Sequence, residues 1–304
     1  MAAAVPIPPA ELSARIGRSP HALTDRERYL ERGRGTKRAI ERVLPDDWSW
    51  EGKAVLDFGC GPARAIRHFT DLAPETELWG CDISVPAIEW SRQHLEPPIS
   101  FVVNGEAPPL PFPDGKFDLI YALSVFTHIT EHWAAWLLEM DRILAPGGRL
   151  LATYMGEAMC ELVTGEPWDE HNFGMNVYEA GQDWALGGPM VVHSPWWIEE
   201  HWGRLFTIEA LEPHFAEKAV EEGQDDQGVV LMRKDSKTET IEGLKRLDPA
   251  EPREATALHH DVHHLRYEVE ALRARAGNGS TARVTGRQGA AAAWGAVKRR
   301  LRRV

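Results

Sequence analysis

The feature that most constrains the fold is an alternation of short apolar runs with helical segments between residues 53 and 154. Each run has the length of a strand, and the segments between them have the apolar spacing of helices. Strands that alternate with helices of these lengths form βαβ units, and hence a parallel sheet covered by helices on both faces. The predicted strands are 53–58, 76–81, 99–103, 117–122 and 148–154, and the predicted helices are 62–72, 85–94 and 131–143.

The remainder of the 304-residue chain divides into segments of different composition. An insertion rich in Gly, Trp and acidic residues occupies about 155–195, followed by a predicted helix at 195–203. Further strands at 205–211 and 227–233 complete a seven-stranded, mostly parallel sheet in a domain spanning 51–234. The flanking predictions are an N-terminal helical segment at 1–50, a linker at 235–253, a short coiled coil at 254–276 and a flexible basic tail at 277–304 that ends in an amphipathic helix.

The coiled coil is predicted from the apolar positions between residues 255 and 272, which recur at steps of 3-4-3-4-3. This is the heptad spacing, and it predicts a homo-oligomer, most simply a parallel dimer. The alternative is a lone amphipathic helix docked on its own domain. Four histidines in the same segment have spacings that zinc could use, but no third ligand is nearby, so we expect polar flanks of the coil and no metal site. The seam residues are Ala255, Leu258, Val262, Leu265, Val269 and Leu272, and the histidines are His259, His260, His263 and His264.

Charge is distributed unevenly along the chain. The net charge is −12, yet residues 283–304 contain seven Lys and Arg and no acid, and an acidic body argues against a general nucleic-acid binder. Apolar residues at Trp294, Val297, Leu301 and Val304 share a helix face, so residues 290–304 are predicted to bind an anionic membrane surface reversibly. The alternatives are a solvated tail that contacts the acidic body and, less favoured, a nucleic-acid contact. Three cysteines and the absence of a signal or spanning segment predict a cytoplasmic protein, peripheral at the inner membrane face if the tail binds lipid.

The residues that carry chemistry follow the first three strands. Asp57 ends the first strand and leads into the turn Gly59-Cys60-Gly61, where glycines let the backbone approach a ligand closely. Asp82 ends the second strand, where a carboxylate can accept hydrogen bonds from both hydroxyls of a ribose. Glu106 follows the third strand and could accept from an exocyclic amine. A carboxylate at Asp57 would oppose a pyrophosphate, so the crevice suits a ligand with a cationic amine and no phosphate.

These residues resemble the class I S-adenosylmethionine-dependent methyltransferases. The resemblance covers about residues 53–154 and comprises VLDFGCGPAR, WGCDIS, GEAPPLPFPDGKFDLIYALSVFTHI and RILAPGGRLL in the expected order; Ala63 departs from the glycine that many members have. It implies a Rossmann-like sheet and S-adenosyl-L-methionine as methyl donor. It further implies that the methionine part is held by Asp57, Gly59 and Gly61, the ribose by Asp82, the adenine by Ile83, Glu106 and Ala107, and the methyl-donor end by Ala122, Leu123 and Ser124.

The acceptor is less constrained by the sequence. His128, after the fourth strand, is a candidate base, although it could instead pack or cap the next helix; His171 and His193 are further candidates in or beside the insertion. The segment after the fourth strand lacks an Asn-Pro-Pro-Tyr element, which disfavours methylation of nucleic-acid bases and amides. The insertion and its surroundings contain Trp168, Trp184, Trp196, Trp197 and Trp202, whose rings suit sugars or flat apolar molecules unless they only pack the lid.

A second resemblance, from Ser194-Pro195-Trp196-Trp197 to Gln227-Gly228-Val229-Val230, is to methyltransferases found with bacterial cell-surface polysaccharide enzymes. It favours a saccharide hydroxyl, or a hydroxyl of another small molecule, as the acceptor. Two alternatives remain open: an N-methyltransferase of a small metabolite, and a non-catalytic cofactor-binding scaffold whose coil and tail recruit partners.

Overall fold

The central element of the fold is one seven-stranded sheet. The computed structural model describes residues 6–13, 26–180, 182, 187–216 and 226–277. The strand order is β3-β2-β1-β4-β5-β9-β8, with β1 to β5 parallel and β9 antiparallel to both of its neighbours. The sheet strands are β1 Ala54–Phe58, β2 Glu77–Asp82, β3 Ile99–Val103, β4 Phe117–Ala122, β5 Leu144–Tyr154, β8 Phe206–Glu212 and β9 Gly228–Lys234, which confirms the predicted seven-stranded α/β fold.

Helices cover both faces of this sheet. Those of the described residues are α1 Ala10–Ser13, α2 Arg26–Val43, α3 Val85–Leu95, α4 Trp133–Ile143, α5 Glu157–Thr164, α6 Pro195–His201, α7 Ile241–Lys245 and α8 Pro252–Gly277. On one face Leu137 of α4 and Ile198 of α6 are fully buried. On the other face Ile40 of α2 and Ile88 of α3 are fully buried. The two apolar layers keep the strands fixed, so residues at the strand ends have defined positions.

The helix predicted at 62–72 is wrong for most of its length. Only a short 3-10 helix, Ile66–Phe69, forms there. Gly61 and Ala63 have φ of 52° and 57°, in the left-handed region, so a right-handed helix cannot begin before them. The turn therefore stays open beside the ends of β1 and β2.

The insertion forms a small lid of its own. Helix α5 is followed by a two-stranded antiparallel hairpin, β6 Met175–Tyr178 and β7 Met190–His193. An apolar cluster that includes the fully buried Cys160 and Val192 holds α5 to this hairpin.

The segment at 235–253, predicted as a linker, is docked on the domain. Helix α7 lies within it, and Leu244 is fully buried in the same core as α4. The Leu244 carbonyl accepts a hydrogen bond from Nδ1 of His201 at 2.6 Å, and the same ring contacts Glu254 of α8 through Nε2 at 3.1 Å. The chain therefore has no free hinge at this point of the described structure, and α8 is attached to the domain.

Helix α8 confirms that residues 254–276 are helical, while their association with another chain stays a prediction. No helix among the described residues has the length and apolarity to cross a membrane. The basic tail predicted at 277–304, with its amphipathic helix at 290–304, lies outside the described residues apart from Gly277.

Candidate functional site

The glycine turn after β1 is shaped by backbone contacts. The amides of Gly59 and Cys60 both donate to the carbonyl of Cys81, at 2.8 and 2.9 Å, which ties the turn to the end of β2. Gly59 has a φ of 79°, and a Cβ there would lie 2.3 Å from Cγ2 of Val125. Only glycine fits this position, because any side chain would be strained and would collide with the segment after β4.

Asp82 is the clamp of the same turn. Its Oδ2 accepts from the Gly61 amide at 2.7 Å, and its Oδ1 accepts from the Ser84 amide at 2.7 Å. A carboxylate oxygen has two lone pairs, so each oxygen can accept one further hydrogen bond. Asp82 therefore lies partly exposed at the carboxyl end of β2. The two backbone amides hold its carboxylate in one orientation, and both oxygens can still accept a hydrogen bond.

Asp57 is a buried carboxyl group at the end of β1. Its pKa is raised to about 7: burial is the largest cause and the nearby charge of Asp82 also raises it, while the Tyr121 hydroxyl on β4 and the Arg64 guanidinium act to lower it. A cation beside Asp57 would favour the ionised form. The site therefore has an electrostatic preference for a positively charged group next to the glycine turn.

The residues expected at an adenine ring surround the ends of β2 and β3. Ile83, directly after Asp82, is 41% exposed despite its apolar side chain. Glu106 and Ala107 are exposed in the loop after β3, which is fixed because Nε1 of Trp136 donates to the Glu106 carbonyl at 3.0 Å. The Asn104 amide donates to the Asp82 carbonyl at 3.1 Å and joins this loop to β2.

Ser124 follows Ala122, the last residue of β4, and Leu123, which is half-buried. Its φ is 57°, an uncommon conformation for a residue with a side chain. Two residues that the sequence analysis missed hold it there: the Ser124 amide donates to Oγ1 of Thr153 at 2.7 Å, and Nε2 of Gln227 donates to Oγ of Ser124 at 3.0 Å. Oγ1 of Thr153 donates in turn to Oε1 of Gln227 at 2.6 Å, so the three side chains form one network. Backbone strain that surrounding contacts maintain is typical of functional positions.

His128 contacts the lid. Its Nδ1 lies 2.7 Å from the carbonyl oxygen of Pro189, and the neighbouring Thr127 carbonyl accepts from the Val191 amide at 2.8 Å. A carbonyl can only accept, so Nδ1 carries a proton and, in the neutral ring, Nε2 carries the lone pair. This hydrogen bond holds the ring against the lid, as expected if His128 has only a packing role. It also fixes the ring in the tautomer whose Nε2 could accept a proton, as expected if His128 is a base.

The two other histidine candidates have different surroundings. The side chain of His171 is 66% exposed and lies 3.4 Å from Asp169. His193 is fully buried between Trp197 and Trp202, and neither of its ring nitrogens has a hydrogen-bond partner among the described residues. Burial lowers the pKa of His193 to about 3, so it stays neutral.

Most of the tryptophans near the insertion serve packing. Trp196, Trp197 and Trp202 are buried, and Trp168 stacks on Phe173 with ring centroids 5.2 Å apart. Trp184 lies outside the described residues. The described rings therefore stabilise the lid and its junction with the sheet, and they do not form an exposed aromatic platform.

The sequence of the central region matches known proteins. Residues 56–152 match a family described as a methyltransferase domain. Over 103 residues the chain is 34% identical to phthiotriol/phenolphthiotriol dimycocerosates methyltransferase 1 of Mycobacterium ulcerans, covering 34% of this chain and 37% of the relative. It is 33% identical over 104 residues to the fatty-acid O-methyltransferase of Mycolicibacterium smegmatis, covering 34% and 37%, and 33% identical over 121 residues to the demethylmenaquinone methyltransferase of Thermus thermophilus, covering 39% and 52%.

The matches span only part of these relatives, between 37% and 52% of their length. The fold is shared more widely. The crystal structure of the PH0226 protein of Pyrococcus horikoshii superposes with a TM-score of 0.52 at 18% identity, covering 73% of this chain and 97% of that one. The strand order, the glycine turn and the family match agree, and residues 56–152 of this chain thus form a methyltransferase domain with the class I, S-adenosylmethionine-dependent methyltransferase fold.

Proposed function

We propose that the chain is an S-adenosyl-L-methionine-dependent methyltransferase that acts on a hydroxyl group of a small molecule, with a saccharide as the preferred class. The observation that carries the proposal is the Asp82 clamp. One carboxylate fixes the glycine turn through Gly61 and the next loop through Ser84, and keeps acceptor capacity on both oxygens. A ribose diol needs this pair of acceptors.

The residues at the strand ends fit the cofactor. The buried Asp57 favours the ammonium group of the methionine part, beside the turn that Gly59 and Gly61 form with their left-handed backbone. Asp82 accepts from the ribose hydroxyls. The exposed Ile83 packs on the adenine, and Glu106 with Ala107 borders its amine edge. Leu123 and Ser124 line the methyl-donor end.

His128 is proposed as the general base. When bound, the cofactor supplies an electrophilic methyl group on a sulfonium. With that cofactor bound, its methyl group would pass to the acceptor oxygen while the C–S electron pair stays on sulfur, and Nε2 of His128 would take the hydroxyl proton. The Pro189 carbonyl stabilises the resulting imidazolium through Nδ1. The lid hairpin above this segment excludes water from the reacting atoms.

An oxygen acceptor agrees with the name of one relative, the fatty-acid O-methyltransferase of Mycolicibacterium smegmatis, whose acceptor oxygen belongs to a carboxyl group. The preference for a saccharide comes from the second sequence resemblance, at the far end of the domain. The buried tryptophans lend it no support, because the described rings do not face an open crevice. A cytoplasmic location with reversible membrane contact of residues 290–304 belongs to the same proposal.

The cofactor assignment and the acceptor assignment require separate tests. Calorimetric titration with S-adenosylhomocysteine measures binding in the absence of an acceptor, and the absence of binding would overturn the proposal. Transfer of a labelled methyl group is then measured on three panels of candidate acceptors. The first contains saccharides, the second contains fatty acids and quinols, and the third contains amines. Labelled products confined to amines would indicate an N-methyltransferase, and binding without transfer to any panel would favour a scaffold.

The base is tested with His128→Asn. The asparagine amide nitrogen takes the place of Nδ1 and still donates to the Pro189 carbonyl, while the proton acceptor at Nε2 is lost. We expect kcat to fall by about 10²- to 10⁴-fold with unchanged affinity for S-adenosylhomocysteine. Unchanged kcat would assign His128 to packing alone.

A further inference from the structure

Helix α8 is held to the lid by one face. The Asn176 side chain donates to the Ala257 carbonyl at 3.4 Å, and the Val177 amide donates to Oδ1 of Asp261 at 2.8 Å. Further along, the amide of Glu179 donates to Oε1 of Glu268 at 2.8 Å. These contacts run beside β6 from the first turns of the helix to its middle, so its orientation on the domain is fixed.

A second face of α8 is apolar and exposed. Among its large side chains Leu258 is 47% exposed, Val262 38%, Val269 43% and Leu272 55%. These residues belong to the heptad seam, and the seam lies roughly a third of a turn around the helix from the docked face, at 100° per residue. The domain therefore does not cover the seam, and a contiguous apolar stripe of this kind marks an interaction surface.

We propose that a second copy of this chain covers the seam and that the two α8 helices form a parallel two-stranded coiled coil. The seam has Ala255, Val262 and Val269 at the a positions of the heptad, and Leu258, Leu265 and Leu272 at the d positions. β-Branched residues at a with leucine at d favour two parallel strands over trimers and tetramers.

The charged residues beside the seam also favour a second copy of this chain in parallel orientation. Arg266 and Arg273 occupy e positions, are exposed, and have no ion pair among the described residues. Asp261 and Glu268 occupy the g positions. Asp261 uses Oδ1, and Glu268 uses Oε1, for a β6-side amide, and Oε1 of Glu268 also contacts Nε2 of His264; no hydrogen bond among the described residues uses Oδ2 of Asp261 or Oε2 of Glu268. In a parallel pair each g residue meets the e residue of the next heptad on the partner, so Asp261 meets Arg266 and Glu268 meets Arg273.

An antiparallel pair would place the same charges unfavourably. There g faces g and e faces e, so carboxylates would oppose carboxylates and guanidinium groups would oppose each other. The first heptad adds no such pair, because its g residue, Glu254, is buried against His201. The orientation is therefore set by the last two heptads.

The interface is tested by sedimentation of the full chain and two single variants. Val262→Asp places a charge in the seam, and Tyr267→Asp places the same charge at Tyr267, which is 69% exposed on the same helix but lies off the seam. We expect a dimer for the unaltered chain and for Tyr267→Asp, and a monomer for Val262→Asp at equal concentration. Binding of S-adenosylhomocysteine should be equal in all three, which shows that the domains are folded.

A monomeric unaltered chain, a dimeric Val262→Asp variant, or equal dissociation of both variants would overturn the proposal. The orientation is tested by disulfide formation, since the three native cysteines are buried. Protomers carrying Leu258→Cys should crosslink to each other, and so should protomers carrying Leu272→Cys. Crosslinking only in a mixture of the two would show an antiparallel pair instead.

Discussion

Replacement of Asp57 by asparagine should stabilise the cofactor-free protein at neutral pH. The folded state raises the pKa of this carboxyl group from 3.8 to about 7, mainly through burial. Between these values the unfolded chain has released the proton while the folded chain still binds it, so stability falls as pH rises. A shift of about three units at 1.36 kcal/mol each corresponds to a loss of about 4 kcal/mol, complete above about pH 7.

The assay is denaturant unfolding of the unaltered protein and of Asp57→Asn from about pH 4 to about pH 8. The asparagine is nearly isosteric and does not titrate, so contributions of other groups cancel in the difference between the two proteins. That difference should grow with pH in favour of the variant and level off above about pH 7. A difference that is constant with pH would mean that Asp57 is already ionised throughout, and the burial argument would be refuted.

The same carboxyl group should make cofactor binding pH-dependent. An ammonium group beside Asp57 favours the ionised form, so binding of S-adenosylhomocysteine near neutral pH should release a proton. Calorimetry in two buffers of different ionisation enthalpy measures that release. Asp57→Asn should bind more weakly and release no proton from this site.

Three further predictions concern the glycine turn and the tail. Asp82→Ala should weaken S-adenosylhomocysteine binding by roughly 2–4 kcal/mol, because the hydrogen bonds to the ribose are lost; equal calorimetric affinity would show that Asp82 does not hold the ribose. Ala63→Gly should change the free energy of unfolding by less than about 1 kcal/mol, because relief of the left-handed φ of 57° is offset by the loss of a fully buried methyl group and by the greater freedom of glycine in the unfolded chain; a change of about 2 kcal/mol or more in a denaturant series would contradict this. Deletion of residues 290–304 should abolish flotation with anionic vesicles at low salt, and an intact protein that does not float would refute membrane binding.

The sheet could be predicted from the sequence because buried parallel strands consist of continuous apolar runs. The strand β4, for example, was predicted and observed at residues 117–122. The turn after Gly61 was predicted as helix because Ala63 has no sequence signal for a left-handed conformation. That conformation is imposed by the contacts of the turn with β2.

The site residues could be predicted from the sequence only where a single residue at or directly after the end of a strand has the expected role. Asp57 and Asp82 are identified in this way, whereas Thr153 and Gln227 are distant in sequence and act on Ser124 only because β4 pairs with β5 and β5 pairs with β9. The docking of the predicted linker on the domain was missed for a similar reason. It depends on one buried leucine, Leu244, and on backbone carbonyls of the segment that bond His201 and Arg204, while the other large apolar residues there, Ile241 and Leu247, are exposed.

Both strands of the lid hairpin are hydrogen-bonded to neighbouring elements, and these bonds would affect the rate of turnover. On the β7 side it is bonded to Thr127 and Met155, and on the β6 side the C-terminal helix holds Val177. Under the proposed mechanism the hairpin covers the reacting atoms, so passage of an acceptor or of the methylated product would require this element to separate from the sheet, and α8 would have to move with it or release it. Where such opening is slower than chemistry, it sets kcat. The smallest fragment with native turnover should therefore extend through α8, well past the last strand.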